Sequence, residues 1–299
     1  MAVDRRSLLT GLAAAGAAAL TGTAPASARE LKTAPADAMG MLYDATRCIG
    51  CKTCVVACRK ANDMPVEPSP NGLWDAPEDL SGKTRNIIKL YKGDGKQSFM
   101  KAQCMHCIDP ACAGACMIGA LQKREHGIVT WDGSRCIGCR YCQVACPYEI
   151  PKFTWDKANP RIVKCEMCSH RIAKGGVPAC CEVCPREAVI YGPYRDLLAD
   201  AKSRLAASPD HYYPKVFGET DGGGTQVLYL SAAGIPFTAL GLPDLGDTPV
   251  PEMEQTIQHG IYKGFIAPAA LYAALGIVMI RNRRTNEKKG GDHEGGASS

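Results

Sequence analysis

A loop-rich α+β fold built around sets of four cysteines, with one further helix near the C-terminal end, is what this 299-residue sequence predicts. Three observations lead there. Seventeen cysteines fall almost entirely into four sets of four. One set is repeated, since RCIGCKTCVVAC at 47–58 matches RCIGCRYCQVAC at 135–146 at nine of twelve positions. Two long uncharged stretches lie outside the cysteine-bearing part, one towards each end. Apolar residues make up 46% of the chain, which supplies a buried core and excludes global disorder.

The chain opens MAVDRRSLLT, with Arg5 and Arg6 ahead of Leu8 and Leu9. Residues 7–20 carry no charge, and Ala26-Ser27-Ala28 is an A-x-A cleavage site. That order predicts a secretory signal over 1–28, too short in its apolar part to span a bilayer. The paired arginines predict the twin-arginine route, which carries folded proteins. Leu8 and Thr10 depart from that signal's commonest residues, and the alternative is an ordinary Sec signal with two arginines in its n-region. Residues 29–43 read as a linker.

The first cysteine set is Cys48, Cys51, Cys54 and Cys58, spaced C-x2-C-x2-C-x3-C. The second is Cys104, Cys107, Cys112 and Cys116. The third, Cys136, Cys139, Cys142 and Cys146, repeats the first and is followed by Pro147. The fourth is Cys165, Cys168, Cys180 and Cys184, before Pro185. Cys181 is the spare, because Cys180 restores the C-x3-C ending that the other sets share.

This spacing suits [4Fe–4S] clusters. A cubane needs thiolates from different directions, and a tight C-x2-C-x2-C loop wraps only three corners, so the following x3-C starts a helix and serves a neighbouring cluster. Gly50 and Gly138 let the backbone turn so that amides point at sulfur. Ile49, Val55, Ile137 and Val144 are expected to pack against clusters and keep water off. Two alternatives stand beside this reading. Zinc uses paired cysteines, but as two separate pairs; a disulfide framework suits an exported protein, but not four near-identical sets. A c-type haem is excluded, since no CxxC here is followed by His.

Residues 63–97 are rich in Pro, Gly and Asp, with a strand predicted over 86–91, and read as an insertion that covers clusters or meets a partner. Residues 195–207 show Leu197, Leu198, Ala201 and Leu205 at helical spacing between Pro193 and Pro209. The glycines at 222–224 read as a turn before a strand over 225–231, since no phosphate-loop Lys follows. His106, between two cysteines, is expected to hydrogen-bond near a cluster rather than ligate it. His126, His170, His211 and His259 share no spacing, and no nucleophile–base constellation appears, so no catalytic residue is assigned.

Gly264 to Ile280 is uncharged and closed by Arg281, Arg283 and Arg284. Extended to Tyr262 and Lys263, it predicts a transmembrane helix over 262–282; a buried amphipathic helix is the alternative. Five Lys/Arg follow the stretch and residues 244–262 have none, so the positive-inside rule places the C-terminus in the cytoplasm and the body outside. The tail, 283–299, is polar, Gly-rich and predicted to be disordered. The net charge of +5 is split so that the part between the ends holds only +2, and no basic block marks a nucleic-acid binder. Each oxidised cubane with four thiolates adds about −2, so the folded body is acidic overall. Lys52, Lys60, Arg140 and Lys164, beside ligands, offset part of this.

These features together resemble the four-cluster ferredoxin subunits of membrane-bound bacterial oxidoreductases, and more closely the HybA-type iron–sulfur subunits of hydrogenase-2-like nickel–iron hydrogenases. GMLYDATRCIGC at 40–51, KAQCMHC at 101–107, GCRYCQVACPYEIPKF at 138–153 and GGGTQVLYL at 222–230 carry the resemblance, which covers nearly the whole chain. It implies two interleaved bacterial ferredoxin-like modules within 44–190: an outer one of 44–62 with 160–190, and an inner one of 98–155. A C-terminal extension, 191–260, follows. It implies one cluster on Cys48, Cys51, Cys54 and Cys184 and a second on Cys58, Cys165, Cys168 and Cys180. A third takes Cys104, Cys107, Cys112 and Cys146, and a fourth Cys116, Cys136, Cys139 and Cys142. Arg59 and Met117 stand where the family often has Pro. The implied role is an electron-transfer subunit on the periplasmic side of the inner membrane, between the hydrogenase large and small subunits and an integral-membrane quinone-reactive subunit. The same wire in a molybdenum or sulfur-metabolising oxidoreductase is the alternative, and an exported zinc or disulfide scaffold a remote one.

Overall fold

The structure is a computed structural model that describes residues 32–67, 77–93, 95–156, 160–251, 265 and 268–283. The signal expected over 1–28, residues 262–264 and 266–267 of the expected membrane helix, and residues 284–299 of the tail lie outside the described residues. The chain divides into two units, Glu30–Pro251 and the two ends, Met1–Arg29 with Glu252–Ser299.

The larger unit is organised by a three-stranded sheet of β1 (Met39–Asp44), β8 (Val189–Pro193) and β9 (Val227–Leu230), in the order β8-β1-β9. β1 runs antiparallel to β8, with Leu42 opposite Ile190, and parallel to β9, with Leu42 opposite Leu228. The central strand therefore joins three distant parts of the chain. Five of the fifteen residues expected as a linker over 29–43 lie in it, and Met41 and Leu42 are each 1% exposed. The continuous apolar run Met-Leu-Tyr is the reason: a strand buried on both faces shows no polar alternation to mark it.

The two faces of this sheet feed two cores, as the period of two requires. Met41, Tyr43, Val227 and Tyr229 point into the main core, with Ile87, Met100, Phe217 and Phe237. Leu42, Leu228 and Leu230 point the other way, onto the helix Tyr194–Ala207. That helix buries Tyr194, Leu197 and Ala201, matching the spacing read from the sequence. Arg204 in its last turn reaches the buried Asp44 carboxylate at 3.1 Å, which also accepts from the Tyr212 hydroxyl at 3.0 Å.

Three hairpins complete the unit. β2 (Asn86–Gly93) and β3 (Lys96–Gln103) form the longest, in full register from Asn86 opposite Gln103. Its inner end buries Ile87, Ile88, Met100 and Ala102 in the main core. β4 (Leu121–Lys123) pairs with β5 (Val129–Trp131), and β6 (Lys152–Phe153) with β7 (Ile162–Val163). The glycines at 222–224 form a tight turn leading into β9, as expected.

Five short helices lie within or directly after the cysteine sets: α1 (Thr53–Ala61), α2 (Ala111–Gly114), α3 (Tyr141–Val144), α4 (Ser169–Ile172), which holds no cysteine, and α5 (Ala179–Glu182). The helix Tyr194–Ala207 is then α6. α1 packs against α5, and α2 against α3.

In the smaller unit, residues 268–283 are helical, with Leu271, Tyr272, Leu275, Ile277, Met279 and Ile280 exposed. Among the described residues no helix is long and apolar enough to cross a membrane. The span expected over 262–282 is thus not supported by the described residues, which supply only sixteen helical positions of it.

Candidate metal centres

The cysteine sets share one local construction. In the first and third, Gly50 and Gly138 take φ of 70° and 72°, and Lys52 and Arg140, two residues on, take 59° and 67°. In the second and fourth, His106, Met167 and Cys168 occupy the same left-handed region, at 48°, 53° and 51°. Such conformations cost non-glycine residues about 1–2 kcal/mol each. Their recurrence between cysteines points to a function, because they turn successive amides to one side as an anion-binding nest.

The third cysteine of each set then falls on a helix: Cys54 on α1, Cys112 on α2, Cys142 on α3 and Cys180 on α5. The x3-C spacing carries the last cysteine one turn further, to Cys58, Cys116, Cys146 and Cys184. Three of these receive a backbone amide at sulfur. The N–H of Ala120 donates to Cys116 Sγ and that of Ala188 to Cys184 Sγ, both at 3.2 Å. The Ile150 amide does the same for Cys146. In each case the residue before the donor is left-handed: Gly119, Glu149 and Glu187, at φ of 62°, 52° and 49°. Met167 N–H donates to Cys165 Sγ at 3.3 Å.

In space the cysteines gather across sets. Cys48, Cys51, Cys54 and Cys184 line one cavity with Tyr43, Ile49, Lys101 and Val189. Cys58 faces Cys168 and Cys180, and Cys165 faces Cys58 and Cys180. Asn62 Nδ2 lies 3.7 Å from Cys58 Sγ and 3.9 Å from Cys168 Sγ. Cys107 faces Cys104, Cys112 and Cys146, and Cys142 faces Cys116, Cys136 and Cys139. Neighbouring groups touch: Cys165 meets Cys104, packed with Ile150 and Tyr148, and Cys112 shares a small core with Cys142. All seventeen thiols are free. Among the described residues no three of His, Cys, Asp and Glu gather tightly enough to hold a single metal ion.

Burial makes these thiols reluctant acids. It pushes Cys54, Cys112 and Cys142 up to about 12, and Cys58 and Cys146 up to about 11, with neighbouring cysteines adding to the effect. Deprotonating four such thiols together needs compensating positive charge, which a cationic iron core provides. Cys180 runs the other way: Cys181 is set to donate to it across 4.0 Å, which holds it below the ordinary thiol range.

Two buried donors face this chemistry. His106 is 0% exposed, and burial, then Lys164 and Lys123, keep its ring neutral. Its Nδ1 accepts from Val129 N–H at 3.1 Å, so the proton sits on Nε2, which has no partner among the described residues. The buried Tyr148 hydroxyl, beside Cys107 and Cys146, likewise has none there. Sulfur atoms of a bound cluster are the acceptors such donors fit.

Charge around the cysteines is placed differently from the sequence expectation. Lys60 and Arg140 are exposed, while Lys164 is 3% exposed and donates to the Val129 carbonyl and, at 3.0 Å, to that of Cys165. Lys101 was not singled out in the sequence, yet it is 0% exposed on β3 and donates to Gln103 Oε1. Burial would depress its ammonium, but Cys180, Cys54, Tyr229 and Cys165 outweigh that and hold it charged. The only sequence signal for it was the alternation that turns Lys101 and Gln103 inward on β3, directly before Cys104. Of the four aliphatic residues expected to shield clusters, Val55 alone is buried; Ile49, Ile137 and Val144 are 57%, 68% and 86% exposed. Their loops lie at the surface of the chain, where Cys51 and Cys139 are exposed too.

Residues 96–193 match the 4Fe-4S dicluster domain. The chain is 38% identical to the hydrogenase-2 operon protein HybA of Escherichia coli O157:H7, over 98% of this chain and all of that protein. It is 35% identical to the iron–sulfur subunit of nitrate-inducible formate dehydrogenase of Escherichia coli K12, over 83% of each chain. The formate dehydrogenase-O iron–sulfur subunit of the same strain is 34% identical, over 85% of this chain and 87% of that one. The matched domain and these relatives show that [4Fe–4S] clusters are the metal centres of this chain.

Proposed function

The chain belongs to the HybA family of iron–sulfur electron-transfer subunits, and from that premise we propose that it holds four [4Fe–4S] clusters as a wire between a nickel–iron hydrogenase and a quinone-reactive membrane subunit. It is an electron-transfer subunit, not a catalytic one. The observation that carries the reading is the spatial grouping of sixteen cysteines from separate sets. Cys48, Cys51, Cys54 and Cys184 would hold the first cluster, and Cys58, Cys165, Cys168 and Cys180 the second. Cys104, Cys107, Cys112 and Cys146 would hold the third, and Cys116, Cys136, Cys139 and Cys142 the fourth. The packing of α1 on α5 and of α2 on α3 supports an outer and an inner module. When bound, each cluster supplies a site that takes up and gives back one electron. The chain's own residues hold the thiolates, aim amides and buried donors at sulfur, and keep the middle of the wire dry.

The periplasmic location rests on the signal read over 1–28. A membrane anchor over 262–282 is part of this proposal and is read from the uncharged run Gly264–Ile280 and the arginines that close it. Extraction of membranes with carbonate tests it: an anchored chain stays in the pellet. The formate dehydrogenase relatives support a second reading, the same wire serving an oxidoreductase other than a hydrogenase. Purification of the tagged chain from gently solubilised membranes, with partners identified by mass spectrometry and metals counted, separates the two. Nickel with large and small hydrogenase subunits is the expected result; molybdenum with another catalytic subunit would overturn the hydrogenase assignment.

A further inference from the structure

We propose that Lys101 is a positioning cation that raises the reduction potentials of the two outer clusters together, an inference that rests on the cysteine assignments above. Lys101 lines the cavity formed by Cys48, Cys51, Cys54 and Cys184, and its ammonium also faces Cys165 and Cys180, assigned to the second cluster. It therefore stands between the two groups, with no exposed surface. Two contacts fix it there. The Tyr229 hydroxyl donates to the Lys101 carbonyl at 2.5 Å, and the ammonium donates to Gln103 Oε1. Gln103 is held in turn, its amide donating to Met41 Sδ at 3.4 Å.

Reduction adds one electron to a cluster and makes or breaks no bond at Lys101. A fixed positive charge in a dry interior favours the more negative state, so it favours reduction of either neighbour. Lys164 is placed differently, since its ammonium is engaged by two backbone carbonyls. Lys52 is only half-buried. The duplicated third set has an exposed Arg140 at the position of Lys52, its guanidinium over the Phe153 and Trp155 rings.

The test uses the full chain in its membrane complex, with iron counted and a dithionite titration followed by electron paramagnetic resonance. Lys101→Met removes the charge. Gln103→Glu keeps the shape and cancels the charge with a facing carboxylate, so it carries the test if Lys101→Met fails to fold. Each is expected to lower two of the midpoints by at least tenfold in the reduction equilibrium, about 59 mV for one electron. The remaining midpoints should move less, Lys101→Arg should restore the wild-type values, and the exposed Lys89→Met should change nothing. Full iron with unmoved midpoints in both variants would overturn the inference while leaving the ligation reading intact. An equal shift of every midpoint would also overturn it. A wild-type chain without iron would overturn the ligation reading itself, and this inference with it.

Discussion

The first and third cysteine sets are nearly the same sequence placed in two different surroundings. Gly50 and Gly138 turn alike, and the third cysteine starts a helix in both. Beyond that the copies diverge. A Cβ on Gly50 would stand 2.2 Å from the Phe99 ring, whereas one on Gly138 would meet nothing within 4 Å. α1 is nine residues long and buries Cys54, Val55 and Cys58; α3 is four residues long and buries only Cys142. The β2–β3 hairpin makes the difference, since it covers the first set with Ile88, Phe99 and Lys101 and leaves the third at the surface. The turn and helix start that present the cysteines are thus a local property shared by both copies. The environment that tunes a cluster comes from elsewhere in the chain.

The largest test of this comparison is removal of one ligand in each copy. Cys54→Ser and Cys142→Ser should each lose about four iron atoms per chain, a whole cluster, by iron assay. The Cys54 variant should also lose more thermal stability, because Cys54 lies within the main core. Equal losses of stability would count against the contrast in burial.

Next come the paired glycines. Gly138→Ala meets only the left-handed backbone penalty and should cost about 1 kcal/mol in denaturant unfolding of the loaded chain. Gly50→Ala adds the collision with Phe99 and should cost about 2–4 kcal/mol, partly recovered in combination with Phe99→Ala. A smaller effect is expected from exchanging Val55 and Gln143, which occupy equivalent positions in the repeat. Val55→Gln buries an amide without a partner and should cost about 1–3 kcal/mol, while Gln143→Val should stay within about 0.5 kcal/mol. The smallest concerns Arg140, whose guanidinium lies 4.2 Å from the Trp155 ring centre. Arg140→Ala should cost about 0.5–1 kcal/mol by thermal melting, and nothing further once Trp155 is already Ala.

These contrasts also mark what could be read from the residues alone. Cysteine spacing, the helix over Tyr194–Ala207, the strand beginning at Asn86 and the turn at 222–224 all depend on neighbours a few positions away, and all are legible. The central strand Met39–Asp44 is not, because its partners Val189–Pro193 and Val227–Leu230 lie about 150 and 190 positions downstream and its buried run lacks alternation. The exposure of Ile49, Ile137 and Val144 was hidden for the same reason: spacing places a residue beside a ligand but does not say which side faces outward. Lys101 was illegible as a site residue, since a lysine on a strand is ordinarily solvated. Only the hairpin register and the arrival of Cys54, Cys165 and Cys180 around it make it a buried cation.

The most direct test of the account is the metal content of the purified full chain. Iron and acid-labile sulfide should each approach about sixteen per chain, with a broad visible absorption that dithionite bleaches. A colourless protein holding zinc, or one whose cysteines are oxidised to disulfides, would contradict it.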